Sequence, residues 1–272
     1  MFVRDERPTY LRAFFLLLGR IFHMTAYKAR GGSRYAFLGL ITSVFQVIML
    51  AAMFWLMFTV LGVRGVAVRG DFMLFLLSGI FLFLTHVKTV GAVAGAGNSI
   101  SGMMQHAPMN TLISVSAAAF STLYTQTLAA LVLMAGYHVF VKPFYVYEPI
   151  RAIAMFLLAW GLGVSIGLVF MAFKPWAPGV VSMLITFYQR FNMIFSGKMF
   201  LANALPGAMR WMFEWNPLFH IIDQARGFVF LNYNPHYTAL DYPITCMLVF
   251  FMIGLIAEHF TSKHISVSWG KT

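Results

Sequence analysis

The chain has 272 residues, of which 60% are hydrophobic and only 10% are charged, and its mean hydropathy is +0.79. Because soluble domains carry about a quarter charged residues, this composition excludes an ordinary soluble protein and indicates a multi-pass membrane protein. The net charge of +11 does not indicate a nucleic-acid binder, because many of the basic residues lie beside apolar segments near the N-terminus.

Residues 1–34 predict an amphipathic helix in the cytoplasmic interface of the membrane. The apolar core, residues 11–22, is too short to cross a bilayer, and more basic residues follow it where a signal peptide would have a cleavage site. Basic residues beside an interfacial helix contact anionic lipid headgroups, and the positive-inside bias places the N-terminus in the cytoplasm. The basic residues are Arg4, Arg7, Arg12, Arg20, Lys28, Arg30 and Arg34.

Six apolar segments predict transmembrane helices, which gives an all-α membrane protein with both termini in the cytoplasm. A polar internal loop, residues 94–110, follows the second segment. Gly163 and Gly167 in the fourth have the small-residue spacing that lets helices approach closely. The predicted spans are residues 35–61, 72–93, 111–141, 150–173, 179–200 and 242–260.

The external stretch of residues 201–241 is apolar but broken. Asn203, Pro206 and Asn216-Pro217 interrupt it, yet Leu, Met, Trp and Phe fill the intervals. This pattern predicts short re-entrant helices before the last span. Broken helices survive at membrane depth only where protein buries them or where they line a wet cavity, so a pathway through the membrane is the natural hypothesis.

Phe187, Phe191 and Phe195 recur at i, i+4 and i+8 and share one helix face, with Tyr188 beside them. We expect this stripe either to line the pathway or to pack against other helices and lipid. Arg190 carries a charge in mid-span, which costs about 2.5–3.5 kcal/mol. It should therefore face anionic cargo, a lipid phosphate or a structural ion-pair partner.

Further candidates for the pathway lie closer to the external side. Lys198 is expected to snorkel to the interface, with contact to cargo as the alternative. Trp211, Trp215 and Phe219 repeat at i, i+4 and i+8, which predicts either an aromatic belt or an exit platform for sugar.

Acidic and polar residues of the external stretch have predicted structural roles. Glu214, Asp223 and Arg226 are expected to form ion pairs, and the three-residue separation of Asp223 and Arg226 permits a pair on one helix face. Asn216-Pro217 predicts a turn or a helix start. His220 is expected to form structural hydrogen bonds and not to bind a metal.

No catalytic motif emerges from the sequence. HExxH and P-loop patterns are absent, and the glycine-rich stretch Gly91–Gly97 lacks the Lys-Ser/Thr ending of a phosphate loop. The one GxSxG match, Gly163–Gly167, lies within the fourth predicted span and not at a turn between a strand and a helix. The single cysteine, Cys246, excludes an intrachain disulfide and a cysteine-cluster metal site. We therefore predict no catalytic residue, metal or cofactor in this chain, and energy for active transport would come from another subunit.

Three stretches taken together carry a family resemblance. They are Arg20–Leu40, the loop Asn98–Pro108, and the series of Phe195-Ser196-Gly197, Leu205-Pro206, Asn216-Pro217-Leu218, His220 and Arg226. In this order, within six predicted spans, they resemble the membrane subunit of ABC-2 type exporters, in the branch that exports capsular or related surface polysaccharides. The resemblance covers nearly the whole chain.

The resemblance implies a function and several partners. A homodimer of this chain would bind two copies of a separate ATPase, which holds ATP and Mg²⁺, and would move polysaccharide, often lipid-linked, across the bacterial inner membrane toward periplasmic or outer-membrane export components. The coupling residues would be Asn98, Ser99, Met103, Gln105, His106 and Pro108. The re-entrant motif would comprise Ser196, Gly197, Pro206, Asn216, Pro217 and Arg226.

Three alternatives stay open at this stage. The first is an exporter of the same class with another cargo, such as O-antigen, teichoic acid or a smaller amphiphile. The second is a membrane-embedded enzyme that acts on lipid-linked sugars, and the third is a passive channel that works without an ATPase.

Overall fold

The computed structural model describes residues 10–29, 36–60, 71–96 and 111–264. Within these ranges the chain is helical and contains no strand, which confirms the all-α prediction. The helices are α1 Tyr10–Ala29, α2 Ala36–Val60, α3 Phe72–Ala94, α4 Thr111–Phe140, α5 Pro149–Phe173, α6 Pro178–Phe195, α7 Gly207–Glu214, α8 Pro217–Val229 and α9 Asp241–His264, with a short 3-10 helix at Ala202–Ala204.

Several helices begin at residues whose chemistry favours a helix start. Asp71 caps α3 by accepting a hydrogen bond from the backbone N–H of Met73 at 3.0 Å. Pro149, Pro178 and Pro217 occupy the first positions of α5, α6 and α8. Proline suits this position because its fixed φ matches a helix and the N–H that it lacks would have had no partner within the helix.

α3 is the centre of the bundle, and α2, α4, α5 and α8 pack around it. Its side chains are apolar on every side and buried along most of its length, from Leu74 to Val93. A helix that is hydrophobic all round is stable only where other elements cover it. α5 lies between α3 and α9, so the main core follows the contact between α3 and α5.

Glycines bring α5 close to both of its neighbours. A Cβ atom on Gly163 would lie 2.8 Å from the carbonyl oxygen of His86, and one on Gly167 would lie 2.7 Å from the Cβ atom of Val93. A Cβ atom on Gly254 of α9 would lie equally close to α5. The small-residue spacing in α5 therefore serves helix contacts within one chain.

Five of the described helices are long and apolar enough to cross a membrane: α2 from Gly39, α3, α4, α5 and α9. They coincide with five of the predicted spans and support a multi-pass membrane protein. α6 is not among them, because Gln189, Arg190 and Asn192 lower its apolar character. The helix also ends at Phe195 instead of residue 200, since the chain turns at Gly197, whose φ is +70°. The count of six spans stays a prediction.

The N-terminal segment forms α1, which packs against α4. Lys28 Nζ donates hydrogen bonds to the carbonyl oxygen and to Oγ of Ser114, each at 3.3 Å. Leu11, Phe15 and Phe22 are exposed on α1. The predicted amphipathic helix is thus confirmed as a helix, while its position at the membrane surface stays a prediction.

Replacing Gly167 with alanine should destabilise the fold, because its new methyl group would overlap Val93 at the contact between α3 and α5. Overpacking of this kind costs about 1–3 kcal/mol. For the matched control Gly136→Ala in α4, no atom lies within 4 Å of the new Cβ. Thermal unfolding in detergent, followed by circular dichroism, should show a lower Tm for Gly167→Ala only. Equal Tm values for the two variants would contradict this packing.

Candidate functional site

α6 has one face turned toward the bundle and one exposed face. Tyr188 and Gln189 lie against the bundle, and Asn192 is buried one turn later. Phe187, which is 65% exposed, and Arg190 lie on the exposed face. Arg190 belongs to neither of the ion pairs found among the described residues. A charge therefore projects from a helix whose opposite side is fixed to the core.

A buried histidine joins α6 to the bundle. His86 Nδ1 lies 3.1 Å from the carbonyl oxygen of Ala159, and Nε2 lies 2.8 Å from the hydroxyl of Tyr188. Because a carbonyl only accepts, Nδ1 is the donor, and in a neutral ring Nε2 then accepts from the tyrosine. Gln189 adds a hydrogen bond from Nε2 to the carbonyl oxygen of Val87 at 3.3 Å. α6 is thus held to α3 and α5 partly by polar contacts.

The phenylalanine stripe of α6 forms a ladder of stacked rings. Phe191 lies 6.3 Å from Phe187 and 4.2 Å from Phe195 between ring centroids, and both pairs are stacked. Trp215 lies 5.3 Å from Phe191, and Phe213 lies 5.4 Å from Phe195. The ladder runs from an exposed ring into the contact between α6 and α7. It offers the flat apolar faces that favour weak stacking.

Arg226 of α8 holds the turn that follows α6. Its Nη1 atom donates to the carbonyl oxygens of Gly197, at 2.9 Å, and Phe200, and its Nη2 atom donates to that of Lys198. The guanidinium is fully buried and lies 4.0 Å from the centroid of the Phe75 ring in α3. One side chain therefore ties α8 to three backbone carbonyls and packs on the central helix.

Two glycines make room for this arrangement. Gly197 adopts a left-handed backbone conformation, and a Cβ atom there would lie 2.3 Å from Cδ2 of Phe219. A Cβ atom on Gly79 in α3 would lie 2.9 Å from Nη2 of Arg226 and from the carbonyl oxygen of Lys198. Glycine at position 79 allows the turn to approach α3, and glycine at position 197 allows it to approach Phe219 of α8.

Asn216 connects the end of α6 to the start of α8. Its Nδ2 atom donates to the carbonyl oxygen of Phe195 at 2.9 Å and to Oδ1 of Asn192 at 3.2 Å. Its Oδ1 atom accepts from the backbone N–H of Leu218 at 3.0 Å and so caps α8, which begins at Pro217. The predicted helix start at Asn216-Pro217 is confirmed.

Most residues of the motif taken from the family resemblance meet at this junction. Ser196 is buried at the end of α6, and its backbone N–H donates to the carbonyl oxygen of Asn192. Pro206 immediately precedes α7. The others, which hold the turn after α6 or the start of α8, are Gly197, Asn216, Pro217 and Arg226.

The predicted ion pair between Asp223 and Arg226 is wrong. Asp223 accepts instead from the backbone N–H of Ala202 at 3.1 Å, the hydroxyl of Tyr233 at 2.5 Å and the hydroxyl of Thr238 at 2.9 Å. Burial and the nearby carboxylate of Asp223 raise the pKa of Tyr233, so its hydroxyl stays a donor. Asp223 thus binds the chain on both sides of α7 and α8.

Lys198 does not snorkel to the surface, and that prediction is wrong. Its side chain is 1% exposed, with Nζ 4.1 Å from the ring centroid of Phe83 and 5.5 Å from that of Phe54. Nζ donates to the carbonyl oxygen of Met193. The turn after α6 folds inward over α3, so the ammonium is enclosed by aromatic faces, which attract cations.

The aromatic residues of the predicted external stretch divide into exposed and buried groups. Trp211 and Trp215 are 64% and 55% exposed, whereas Phe219 is 1% exposed. The predicted repeat through all three residues fails because α7 ends at Glu214 and a new helix begins at Pro217. The two tryptophans are therefore exposed, and Phe219 packs inside.

Polar contacts also stabilise α7. Arg210 Nε lies 2.8 Å from Oε1 of Glu214, and its guanidinium lies 3.6 Å from the ring centroid of Tyr237. His220 Nε2 lies 2.6 Å from the carbonyl oxygen of Glu214, and its Nδ1 accepts from the backbone N–H of Ala239 at 3.1 Å. The predicted structural role of His220 is confirmed, and Glu214 does form an ion pair.

The predicted coupling residues lie outside the described residues: Asn98, Ser99, Met103, Gln105, His106 and Pro108. The chain on either side of them is joined, because Ser114 Oγ donates to the carbonyl oxygen of Ala96 at 3.0 Å. Lys28 of α1 also bonds to Ser114. Three helices therefore meet where this loop leaves and rejoins the bundle.

Sequence reasoning missed the roles of His86, Asn192 and Gly79. The sequence does not indicate a partner for His86, because Tyr188 lies 102 residues further along the chain. The polar residues Tyr188, Gln189 and Asn192 share one side of α6 and could have indicated that this side is the buried one. Nothing in the sequence around Gly79 indicates that the guanidinium of Arg226 packs against it.

Comparison of the chain with protein-family models and with curated proteins finds no match. Among the described residues, no group of three or more His, Cys, Asp or Glu side chains could hold a metal ion. The functional inference therefore rests on the geometry of α6 and its junction, together with the sequence resemblance.

Arg226→Lys should destabilise the protein strongly, because one ammonium cannot reach all three carbonyl oxygens that the guanidinium binds. A buried group left without its partner costs about 1–3 kcal/mol. The control, Arg210→Lys, alters a partly exposed ion pair worth about 1 kcal/mol or less. Unfolding by a denaturing detergent in mixed micelles measures both variants. Equal stability for the two would show that Arg226 does not hold the junction.

Proposed function

We propose that the chain is the membrane subunit of an ABC-2 type exporter that moves capsular or related polysaccharide, including lipid-linked forms, across the bacterial inner membrane. The observation that supports this most is the two-faced α6. Its inner side is hydrogen-bonded to α3 through His86 and Val87, while Arg190 and Phe187 are exposed on the other side. At membrane depth such a charge needs water or a partner, which a pathway beside α6 would supply.

In this proposal α6 is the fifth of six spans in chain order and α9 is the sixth, and the two termini lie in the cytoplasm. α7 and α8 are the re-entrant helices. Support comes from the burial of α8 against α3 and α5, since short helices at membrane depth need protein around them. The hydrogen bonds of Arg226 and Asn216 satisfy backbone carbonyls at the break after α6.

Two copies of the chain would enclose the pathway between their α6 helices. The aromatic ladder Phe187, Phe191 and Phe195 then lines the conduit, and Trp211 and Trp215 lie at its exit. Stacked rings hold sugar faces weakly and without hydrogen-bond specificity. A long polymer needs such contacts, because tight binding at each step would stall its movement.

Two copies of a separate ATPase would drive transport, with ATP and Mg²⁺ bound there. Closure of the ATPase pair would act on residues 98–110. The hydrogen bonds among Lys28, Ser114 and Ala96 support this route, because they join α1, α3 and α4 where the loop meets the bundle. A push on the loop would therefore reach three helices at once.

The test of the exporter class is co-purification of an ATPase. The tagged chain, isolated from native membranes in mild detergent, should carry vanadate-sensitive ATPase activity. Replacing residues 98–110 with a Gly/Ser linker should remove that activity. The control replaces residues 265–272, also on the predicted cytoplasmic side, and should keep it. If no ATPase is recovered in several mild detergents, or if both variants retain it equally, the chain is not such a subunit.

Arg190→Gln should reduce export about tenfold, the effect expected when one charge-assisted contact to an anionic group is lost. Arg190→Lys should retain part of the activity because it keeps the charge. Surface polysaccharide per cell, normalised to the amount of membrane-inserted protein, is the readout. Arg210→Gln, which alters an ion pair on α7, serves as control. If the Arg190→Gln variant exports polysaccharide at the wild-type level, Arg190 does not contribute to the pathway.

A further inference from the structure

A groove of about 380 Å³ opens between α2, α3 and α4, near the start of α3. It lies on helices that are long and apolar enough to cross a membrane. Its walls are almost entirely apolar. The residues that define it best are Ala51, Trp55, Leu77, Leu133, Gly136 and Tyr137.

The polar groups near the groove are already satisfied. The hydroxyl of Tyr137 donates to Oδ2 of Asp71, and Oδ1 of Asp71 accepts from the backbone N–H of Met73 at 3.0 Å. A bound water needs two to four polar partners, which these walls do not offer. An empty groove would forfeit dispersion contacts along its lining. Hydrocarbon is therefore the occupant that the lining favours.

An exposed lysine directly follows one of the groove residues in the chain. Val141 lines the groove, and Lys142 is the next residue. Lys142 belongs to neither ion pair of the described residues, and Glu148 pairs instead with Arg151 at 3.0 Å. Both oxygens of Asp71 are engaged in hydrogen bonds. An exposed positive charge outside both ion pairs is therefore one residue away from the groove lining, and such a charge complements a phosphate.

We propose that the groove binds one acyl chain of an anionic phospholipid whose phosphate contacts Lys142. The concave apolar wall holds the chain, and the lysine selects the headgroup. The site rests on the membrane-spanning helices and is independent of what the chain transports.

Photo-cross-linking tests the site on the full-length protein reconstituted in phosphatidylcholine bilayers. The probe is phosphatidylglycerol with a diazirine on one acyl chain, and mass spectrometry locates the adducts. Adducts should concentrate on peptides that contain Trp55, Met73 and Leu133. The internal control is the exposed face of α9, with Leu248 and Ile256, which ordinary bilayer lipid also reaches.

Two variants separate the acyl chain from the headgroup. Gly136→Leu fills the groove without an immediate clash, because no atom lies within 4 Å of a new Cβ there, and should lower groove labelling to the level of α9. Lys142→Gln should lower labelling by phosphatidylglycerol about fivefold and leave labelling by a diazirine phosphatidylcholine unchanged. Lys263→Gln, at the far end of α9, controls for loss of a surface charge.

Three results would overturn the proposal. If labelling of the groove equals that of α9 and is unaffected by Gly136→Leu, the groove contacts only ordinary bilayer lipid and is not a specific site. Equal labelling of the wild-type groove by the two lipids would show that the site does not select an anionic headgroup. Efficient cross-linking between copies through a cysteine at position 136, in a Cys246→Ala background, would mean that a second copy of the chain covers the groove.

Discussion

Arg226 places three backbone carbonyls of the turn after α6 against α8, and the geometry of the junction between these two helices depends on this contact. A membrane protein cannot leave such carbonyls unpaired away from water. One guanidinium with several fixed donors satisfies them together, which a lysine cannot do. Gly79 and Gly197 supply the space. The end of α6 and the start of α8 thus have defined positions, and Asn216 joins them directly.

α6 links the junction held by Arg226 and Asn216 to the proposed function. It is anchored at its end by the junction and along its inner side by His86 and Gln189, so its other side faces outward in a fixed orientation. Arg190 and the phenylalanine ladder are placed by this orientation. The proposed polymer pathway beside α6 would give both features a role, because the charge would meet water or anionic cargo and the rings would meet sugar faces.

The sequence is sufficient to predict the long helices, because an apolar run of span length has few other solutions in a membrane protein. It also indicates the break at Asn216-Pro217, whose capping chemistry is local. The predictions for Lys198 and Asp223 are wrong for a common reason: most of their partners lie outside the helix or turn that each residue belongs to. These partners are the rings of Phe54 and Phe83 for Lys198, and one backbone N–H and two hydroxyls for Asp223. Spacing along one helix suggests an ion pair between Asp223 and Arg226, but only the fold reveals which acceptors each side chain meets first.

The most direct test of the central claim is the water accessibility of α6 in native membranes. Single cysteines at positions 187, 190, 188 and 192, in a Cys246→Ala background, are treated with a water-soluble maleimide, and a cysteine at position 248 on α9 reports a lipid-facing site. Cysteines at 187 and 190 should be labelled, whereas those at 188, 192 and 248 should not. If 187 and 190 are as unreactive as 248, the exposed face of α6 meets lipid and no pathway runs beside it.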